Sequence, residues 1–557
     1  MIWTNWPIAE LQRELGDKVL EDVGQILPLI DQEGSAFFFQ TDRKSLVKLM
    51  ASFVDEKYFS KKSNIHKCLN YFTPEQLSPL LGALGLEQSK TSPEAIDRIS
   101  TLISNDNSIK QQFLDFFELP QRFYPKISET KPPIFVLSPP SPEAPVHITS
   151  SYKVLKDYQH DVFNRSQSKL SPPMARMILQ MPTGAGKTRT AMEIIANHLN
   201  RRTEENCRVL WLANSEELCE QAVACFTDVW KHVAHYNVDV QRVWGGNPRP
   251  QELRYSTNRQ FIVASMQSLW KLVSSNDENF NSVFSKTTLL VIDEAHIAVA
   301  HTYSQVVKKI SHLSHCRIVG LTATPGRTIQ EETTELSDLF HGEIVSLRDP
   351  SQQLENAIAY LRSIDVLSHV EYDPLIVDNE ISLSDNDLKT LRSELDFSTS
   401  LLKKIGASHI RSAEIAARLK PLLKNGAKIL LFAPSIENSR FLTSLFIFLG
   451  FSAAHIDGDT HSATRSEIIA TYVKGDLQIL CNFGVLATGF DAPKTDVLVI
   501  ARPTKSPVLY SQMIGRGLRG PAVGGTAECR IIEVKDNFEG QGTQDVLYEH
   551  FSEYWTR

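Results

Sequence analysis

The sequence predicts an α/β protein: two tandem parallel-sheet domains preceded by an all-helical N-terminal domain. Three observations predict it. Short apolar, β-branched runs alternate with amphipathic helical patterns twice over, from about residue 151 and again from about residue 428, and strands alternating with helices build a parallel sheet covered on both faces. Before about residue 127, apolar side chains recur at helical spacing instead, as in residues 45–54 and 76–84. Between the two regimes lie Lys131-Pro132-Pro133 and Ser138-Pro139-Pro140-Ser141-Pro142-Glu143-Ala144-Pro145. Fixed φ angles and missing amide donors there forbid a continuous helix or a central strand.

These shifts divide the chain into a helical accessory domain (residues 1–127), a Pro-rich linker (128–150), a first sheet domain (151–345), and a connector with a second sheet domain (346–557). Strands are expected at 177–179, 208–212, 261–264, 289–292 and 317–321 in the first sheet, and at 428–433, 478–481, 496–500 and 530–534 in the second. Residues 326–427, with a polar stretch around 378–387, read as a connector and the opening helices of the second sheet domain. The Pro-rich tether predicts an accessory domain that moves relative to the rest. Its aromatic clusters, Phe37-Phe38-Phe39 and Phe113-Leu114-Asp115-Phe116-Phe117, read as its core.

With 557 residues, 42% hydrophobic and 22% charged, the chain has the composition of a globular protein. A formal charge of -7 leaves no basic footprint, so a nucleic acid would have to be held by a local groove. Seven cysteines without a C-x-x-C pair or a Cys/His cluster read as reduced thiols of a cytoplasmic protein. The first residues carry no basic segment and apolar core, and no run of about 18 apolar residues occurs. Secretion and membrane spanning are therefore not expected.

Met181-Pro182-Thr183-Gly184-Ala185-Gly186-Lys187-Thr188 follows an expected strand and opens an expected helix, as a phosphate cradle requires. Thr183, Gly184, Ala185 and Gly186 would bring backbone amides to a triphosphate at the positive end of the helix. Lys187 would reach the β and γ phosphates and Thr188 would ligate magnesium. The general G-x-x-x-x-G-K-[ST] pattern has glycine where this chain has Met181. Asp293-Glu294-Ala295-His296 ends another apolar strand, at the same sheet edge. Asp293 would hold magnesium, and Glu294 would orient and deprotonate water.

With these strings the chain resembles the superfamily 2 helicases and translocases over roughly residues 150–540, which implies two RecA-like domains with ATP bound between them. Leu155-Lys156-Asp157-Tyr158-Gln159 looks like the family's Q motif, implying that Gln159 reads the adenine edge; an ordinary surface glutamine is the competing account. The strings around Asn214 and around Ser265 and Gln267 look like first-domain loops that hold nucleic-acid phosphates, although helix caps after strands would use the same residue types. Thr322-Ala323-Thr324-Pro325 resembles the coupling motif between ATP site and strand track. In the second domain, Ala487-Thr488-Gly489-Phe490-Asp491-Ala492-Pro493 looks like the motif whose glycine and acid, Gly489 and Asp491, face nucleotide and nucleic acid.

Gln512-Met513-Ile514-Gly515-Arg516-Gly517-Leu518-Arg519 looks like the arginine-finger motif, with Gln512, Arg516 and Arg519 as its functional side chains. Planar guanidinium groups stabilise charge on a transferring phosphoryl group, and supplying them from a second domain makes hydrolysis depend on closure. Arg516 and Arg519 are three apart, so a helix would point both one way.

Within the superfamily, residues 489–493 and 514–519 look most like the DNA-directed branch that holds restriction-type motor subunits and RadD-like repair helicases. Gln512, where many RNA helicases carry histidine, favours DNA. The resemblance implies an ATP- and magnesium-dependent motor on nucleic acid, with a DNA repair or antiviral defence role and a protein partner for residues 1–127 by analogy. An ATP-switched sensor or clamp without strand separation, and an RNA helicase, are the competing readings. Glu533-Val534-Lys535 imitates half of a nuclease site but falls on an expected strand without a partner acid. His301, His312 and His315 read as surface or capping residues rather than metal ligands.

Overall fold

The computed structural model describes residues 2–30, 42–55, 57–84, 93–119, 123–124, 132–140, 152–201, 207–245, 259–275, 280–281, 284–298, 300–323, 330–349, 357–393, 396–460, 462–486, 494–538 and 542–543. Two mainly parallel sheet domains follow a helical N-terminal region. The first sheet contains β1 (Ile134–Leu137), β2 (Arg176–Gln180), β3 (Cys207–Ala213), β4 (Val238–Val243), β5 (Arg259–Ser265), β6 (Thr287–Ile292), β7 (Arg317–Thr322) and β8 (Ile344–Ser346). Their order is β1-β4-β5-β3-β6-β7-β2-β8, and every pair is parallel except β1 with β4. Central β3 is buried along its whole length, as expected for a strand covered by helices on both faces.

The second sheet contains β9 (His369–Ile381), β10 (Ile429–Phe432), β11 (Ala453–Ile456), β12 (Ile479–Asn482), β13 (Val497–Ile500), β14 (Glu528–Phe538) and β15 (Gly542–Thr543). The path is β11-β12-β10-β13-β14, with β9 parallel to β14 and β15 antiparallel to its end. All nine expected strands are present.

Three departures from the sequence reading have identifiable causes. The Pro-rich linker contributes β1, held at the sheet margin where Arg242 donates from its backbone to Pro133 O at 2.8 Å and from its guanidinium to Pro132 O at 2.6 Å. Proline lacks a donor, and these two prolines are used only as acceptors. The segment read as connector and helices contributes β8 and the 13-residue β9. Among the described residues β9 pairs with β14 alone, so Pro374 and the exposed Tyr372 and Ile376 are tolerated on an edge strand.

The third departure concerns the accessory domain. Its helices Asp17–Ile30 and Arg43–Phe53 pack on the second sheet domain's helices His409–Lys424 and Ile436–Phe448. One apolar cluster runs from Trp3, Val23, Ile26 and Leu46 through Ile415, Leu419 and Leu445 into the strands at Ile429 and Val499. Phe53 lies 5.8 Å from Phe441 between ring centroids, and His409 Nε2 meets Asp22 Oδ1 at 2.8 Å. The proline signal marked a change of regime along the chain but carried no information about docking. Phe113, Leu114 and Phe117 are core residues, but Phe116 is exposed, contrary to the reading of the whole cluster as core, while residues 37–39 lie outside the described residues. No helix among the described residues is long and apolar enough to cross a membrane.

Candidate functional site

β2 and β6 flank β7, so the loop after β2 and the turn after β6 emerge side by side at the carboxyl edge of the first sheet. The first loop is tied to β7 where Met181 N donates to Thr322 O at 3.1 Å. Met181, standing where the general pattern has glycine, is fully buried and contributes to the core beneath the loop. Gly184 and Gly186 have φ of 87° and 82°, the left-handed region where glycine carries no Cβ penalty. The helix Lys187–Arg201 then starts with its free amides and positive dipole end at the loop.

Gln159 sits beneath this loop rather than at an open edge. Its Oε1 accepts from Lys156 N at 3.0 Å and its Nε2 donates to Ala185 O at 3.3 Å. The neighbouring Tyr158 hydroxyl donates to the same carbonyl at 3.1 Å. A Cβ on Gly186 would fall 2.3 Å from Gln159 Nε2, so glycine is needed for this close approach. The residue expected to read adenine therefore has both ends of its amide engaged in bracing the cradle.

Lys187 Nζ lies 3.7 Å from Glu294 Oε1, and His296 Nδ1 lies 3.4 Å from Glu294 Oε2. Glu294 is in the left-handed region, with φ 51° and ψ 54°, a conformation that costs a non-glycine residue about 1–2 kcal/mol. The strained turn ends β6 and sends the carboxylate to Lys187 while Asp293 stays 5% exposed behind it. Burial, with the Glu294 charge beside it, pushes the Asp293 carboxyl up to about 7. Burial acts upward on Glu294 too, but the charges of Lys187, His296 and Arg516 and a hydrogen bond from Gln512 outweigh it. They hold Glu294 below the ordinary carboxylate range.

Gln512 and Arg516 come from the second sheet domain, so the acidic pair is faced by side chains of both halves. The helix Pro507–Ile514 stops at Gly515. Consequently Arg516 and Arg519 do not share a helix face. Arg516 lies in the turn that follows, and Arg519 forms an isolated bridge with Leu367 of the connector. Glycine stands at 515 and 517 for a steric reason. A Cβ on Gly515 would lie 2.2 Å from Thr183 Cγ2 of the phosphate loop, and one on Gly517 would lie 2.6 Å from Cys529 Sγ.

The connector is part of this junction. Ser368 Oγ bridges Arg519 O at 2.6 Å and Thr526 O at 2.7 Å, and Leu367 packs into the first sheet's core with Val366 and Leu361. A Cβ on Gly184 would reach Leu367 Cδ2 at 3.2 Å. Sequence reasoning missed these connector residues, along with Tyr158 and the contact of Glu217 with Arg465, because each acts through a neighbour far away in the chain.

The remaining expected residues are more dispersed. Asn214 is exposed at the end of β3 and accepts from the Tyr303 hydroxyl. Ser265 is the N-cap of the helix Met266–Ser274, accepting from Ser268 N at 3.2 Å, and Gln267 is exposed beside it. Buried Thr322 faces His296 Nδ1 at 3.4 Å. Thr324, Thr488, Gly489 and Asp491 lie outside the described residues. Glu533 is buried in β14 and accepts from the Tyr372 hydroxyl, while His315 ends the helix His301–Ser314 in a left-handed cap.

The donor set suits a magnesium polyphosphate. Two glycine-opened turns, a lysine and a helix N-terminus meet an anion's needs, and the buried Asp293 carboxylate with the Thr188 hydroxyl offers a divalent cation hard oxygen ligands. Among the described residues no group of three His, Cys, Asp or Glu forms a protein-only metal cage. Magnesium held by one or two side chains, substrate phosphates and water requires none.

The model for "Type III restriction enzyme, res subunit" matches residues 152–327, and that for "Helicase conserved C-terminal domain" matches residues 414–520. "Putative ATP-dependent helicase IRC3" of Saccharomyces cerevisiae is 26% identical over 385 residues, 66% of this chain and 50% of its own length. "Putative ATP-dependent DNA helicase fml2" of Schizosaccharomyces pombe is 28% identical over 221 residues, 38% of this chain and 25% of its own. The chain thus spans half or less of these two relatives. The Pyrococcus furiosus Hef helicase domain is similar in structure with a TM-score of 0.42 and 17% identity, covering 72% of this chain and 98% of that one. Residues 152–327 and 414–520 thus carry the domain pair of a superfamily 2 helicase related to the restriction enzyme res subunit.

Proposed function

We propose that this chain is an ATP- and magnesium-dependent motor that moves along or separates DNA. The observation that carries the reading is the meeting of Glu294 from one sheet domain with Gln512 and Arg516 from the other. Glu294, kept ionised beside Lys187, orients and deprotonates the attacking water. Lys187 and Arg516 supply positive charge to the phosphoryl oxygens, and Arg516 can do so only while the domains are closed. Gln512 holds the Glu294 carboxylate in place. Asp293 and Thr188 would hold magnesium, which would supply positive charge to the phosphate oxygens when bound. Hydrolysis and release remove the charge that draws Arg516 inward, the cleft opens, and the loops at Asn214 and Gln267 shift along a phosphate backbone.

DNA as the track is supported by Gln512, by the restriction-subunit match and by the name of the fml2 relative. A role in genome defence or repair rests on the same likeness. Glu294→Gln should abolish turnover while sparing nucleotide binding. ATP hydrolysis measured with single-stranded DNA, duplex DNA and RNA, alongside strand and triplex displacement, tests the rest. The proposal expects stimulation by DNA above RNA, and displacement of at least one kind. Stimulation by RNA alone would move the chain to the RNA helicases, and stimulation without any displacement would make it a clamp.

A further inference from the structure

Tyr303 stands near the start of the helix His301–Ser314, the first α-helix after the Asp293-Glu294 turn. Its ring packs against the apolar cluster that contains Phe280, Val306 and Val307, and its hydroxyl donates to Asn214 Oδ1 on the loop after β3. Burial pushes this phenol up to about 12, so it is a donor at neutral pH. A donor selects the oxygen of a primary amide, which leaves the two Nδ2 hydrogens of the exposed Asn214 turned away from the helix. Amide N–H groups in that position suit the oxygens of a phosphodiester backbone. β3, from which this loop departs, borders the acid turn, where Asp293 N donates to Leu212 O at 2.8 Å as the β3–β6 ladder ends.

Resting on the motor reading, we infer that Tyr303 is a positioning residue that fixes the Asn214 amide for a nucleic-acid phosphate and ties that loop to the Asp293-Glu294 turn. When a strand pulls on Asn214, the force reaches the helix that begins at His301, beyond the short 3-10 turn Ala295–Ile297 that follows the catalytic turn. Tyr303 itself touches neither nucleotide nor strand.

Tyr303→Phe keeps the ring and its packing and removes only the hydroxyl. ATP hydrolysis of the full chain is measured without nucleic acid and over a titration of mixed-sequence single-stranded DNA, with the melting temperature as a control. The expected result is an unchanged basal rate and melting temperature, with the DNA concentration for half-maximal stimulation raised roughly 2- to 12-fold, the equivalent of one net hydrogen bond. Asn214→Ala should raise that concentration by a similar factor, and the double variant should be no worse than either single one. A Tyr303→Phe titration that overlays the wild type overturns the inference, as does a fall in basal rate and stability without a change in the titration. A wild-type chain stimulated by no nucleic acid overturns the motor reading, and the inference with it.

Discussion

Arg465 of the second sheet domain reaches across the cleft to the carboxylate of Glu217, which follows the Asn214 loop on the first. The same guanidinium donates to the carbonyls of Asp457, Gly458 and Thr460 at 3.1, 3.2 and 2.9 Å. One side chain thus organises a loop within its own domain and closes against the other.

The two roles separate by substitution. Glu217→Gln removes the cross-cleft charge and leaves the carbonyl contacts, so melting of the nucleotide-free chain should hold while the closed state weakens. Arg465→Ala takes the guanidinium donor from Gly458 O and Thr460 O, while Asp457 O still accepts from Thr460 N at 3.2 Å, and should cost the fold about 1–3 kcal/mol. Denaturant melts, with and without a non-hydrolysable ATP analogue, distinguish them. A Glu217→Gln variant that closes as readily as the parent would remove the latch from the account.

Gly515→Ala should affect closure without affecting folding. The residue has φ -57°, which alanine adopts freely, but the added Cβ would sit 2.2 Å from Thr183 Cγ2. Expected are an unchanged melting temperature and a rate of ATP hydrolysis reduced by roughly tenfold or more, about 1.4 kcal/mol on the barrier. Parent-level hydrolysis would mean that this approach of the two domains plays no part in turnover.

Acid stability should depend on Asp457. Burial alone would raise its carboxyl, but hydrogen bonds from His455, Thr460 and Arg440 and the charge of His455 hold it well below the ordinary carboxylate range. A depressed pKa stabilises the fold above the unfolded value of about 3.9 and loses that contribution as the pH falls below it. Asp457→Asn should therefore lower stability at neutral pH and flatten the acid limb of the stability curve, as read by melts from about pH 6 down to about pH 2. A parallel acid limb would contradict the assignment.

The helical N-terminal region should unfold with the second sheet domain. Hydrogen exchange should show Asp17–Ile30 and His409–Lys424 opening together, and a double-mutant cycle on Phe53 and Phe441 should give a coupling of about 0.5–1.5 kcal/mol. Independent exchange of the two helices would restore the picture of a free appendage.

The elements legible in the sequence were those fixed by local pattern. β3 and β6 are continuous apolar runs, and the phosphate loop and acid turn follow strands directly, so their placement at one sheet edge could be read without coordinates. Long-range pairing was not legible. β9 carries Pro374 and alternating acids because it lies at an edge, which makes it look like a connector. The two-arginine helix failed because the helix stops before Gly515, and the reason for glycine at 515 and 517 lies in Thr183 and Cys529, partners 332 and 12 residues away. Nothing in residues 17–53 announces that their apolar faces meet a helix beginning at His409. Ser265 shows the opposite limit, since a serine after a strand caps a helix whether or not it also meets a ligand.

The central claim is that the reaction needs an arginine delivered by the second domain to the first. It is tested most directly by steady-state ATP hydrolysis of Arg516→Ala with saturating DNA, with nucleotide affinity measured separately. The account predicts a loss of at least roughly 100-fold in turnover, the scale of a lost charge-stabilising donor, with binding largely retained. Hydrolysis by Arg516→Ala at the parent rate would contradict it.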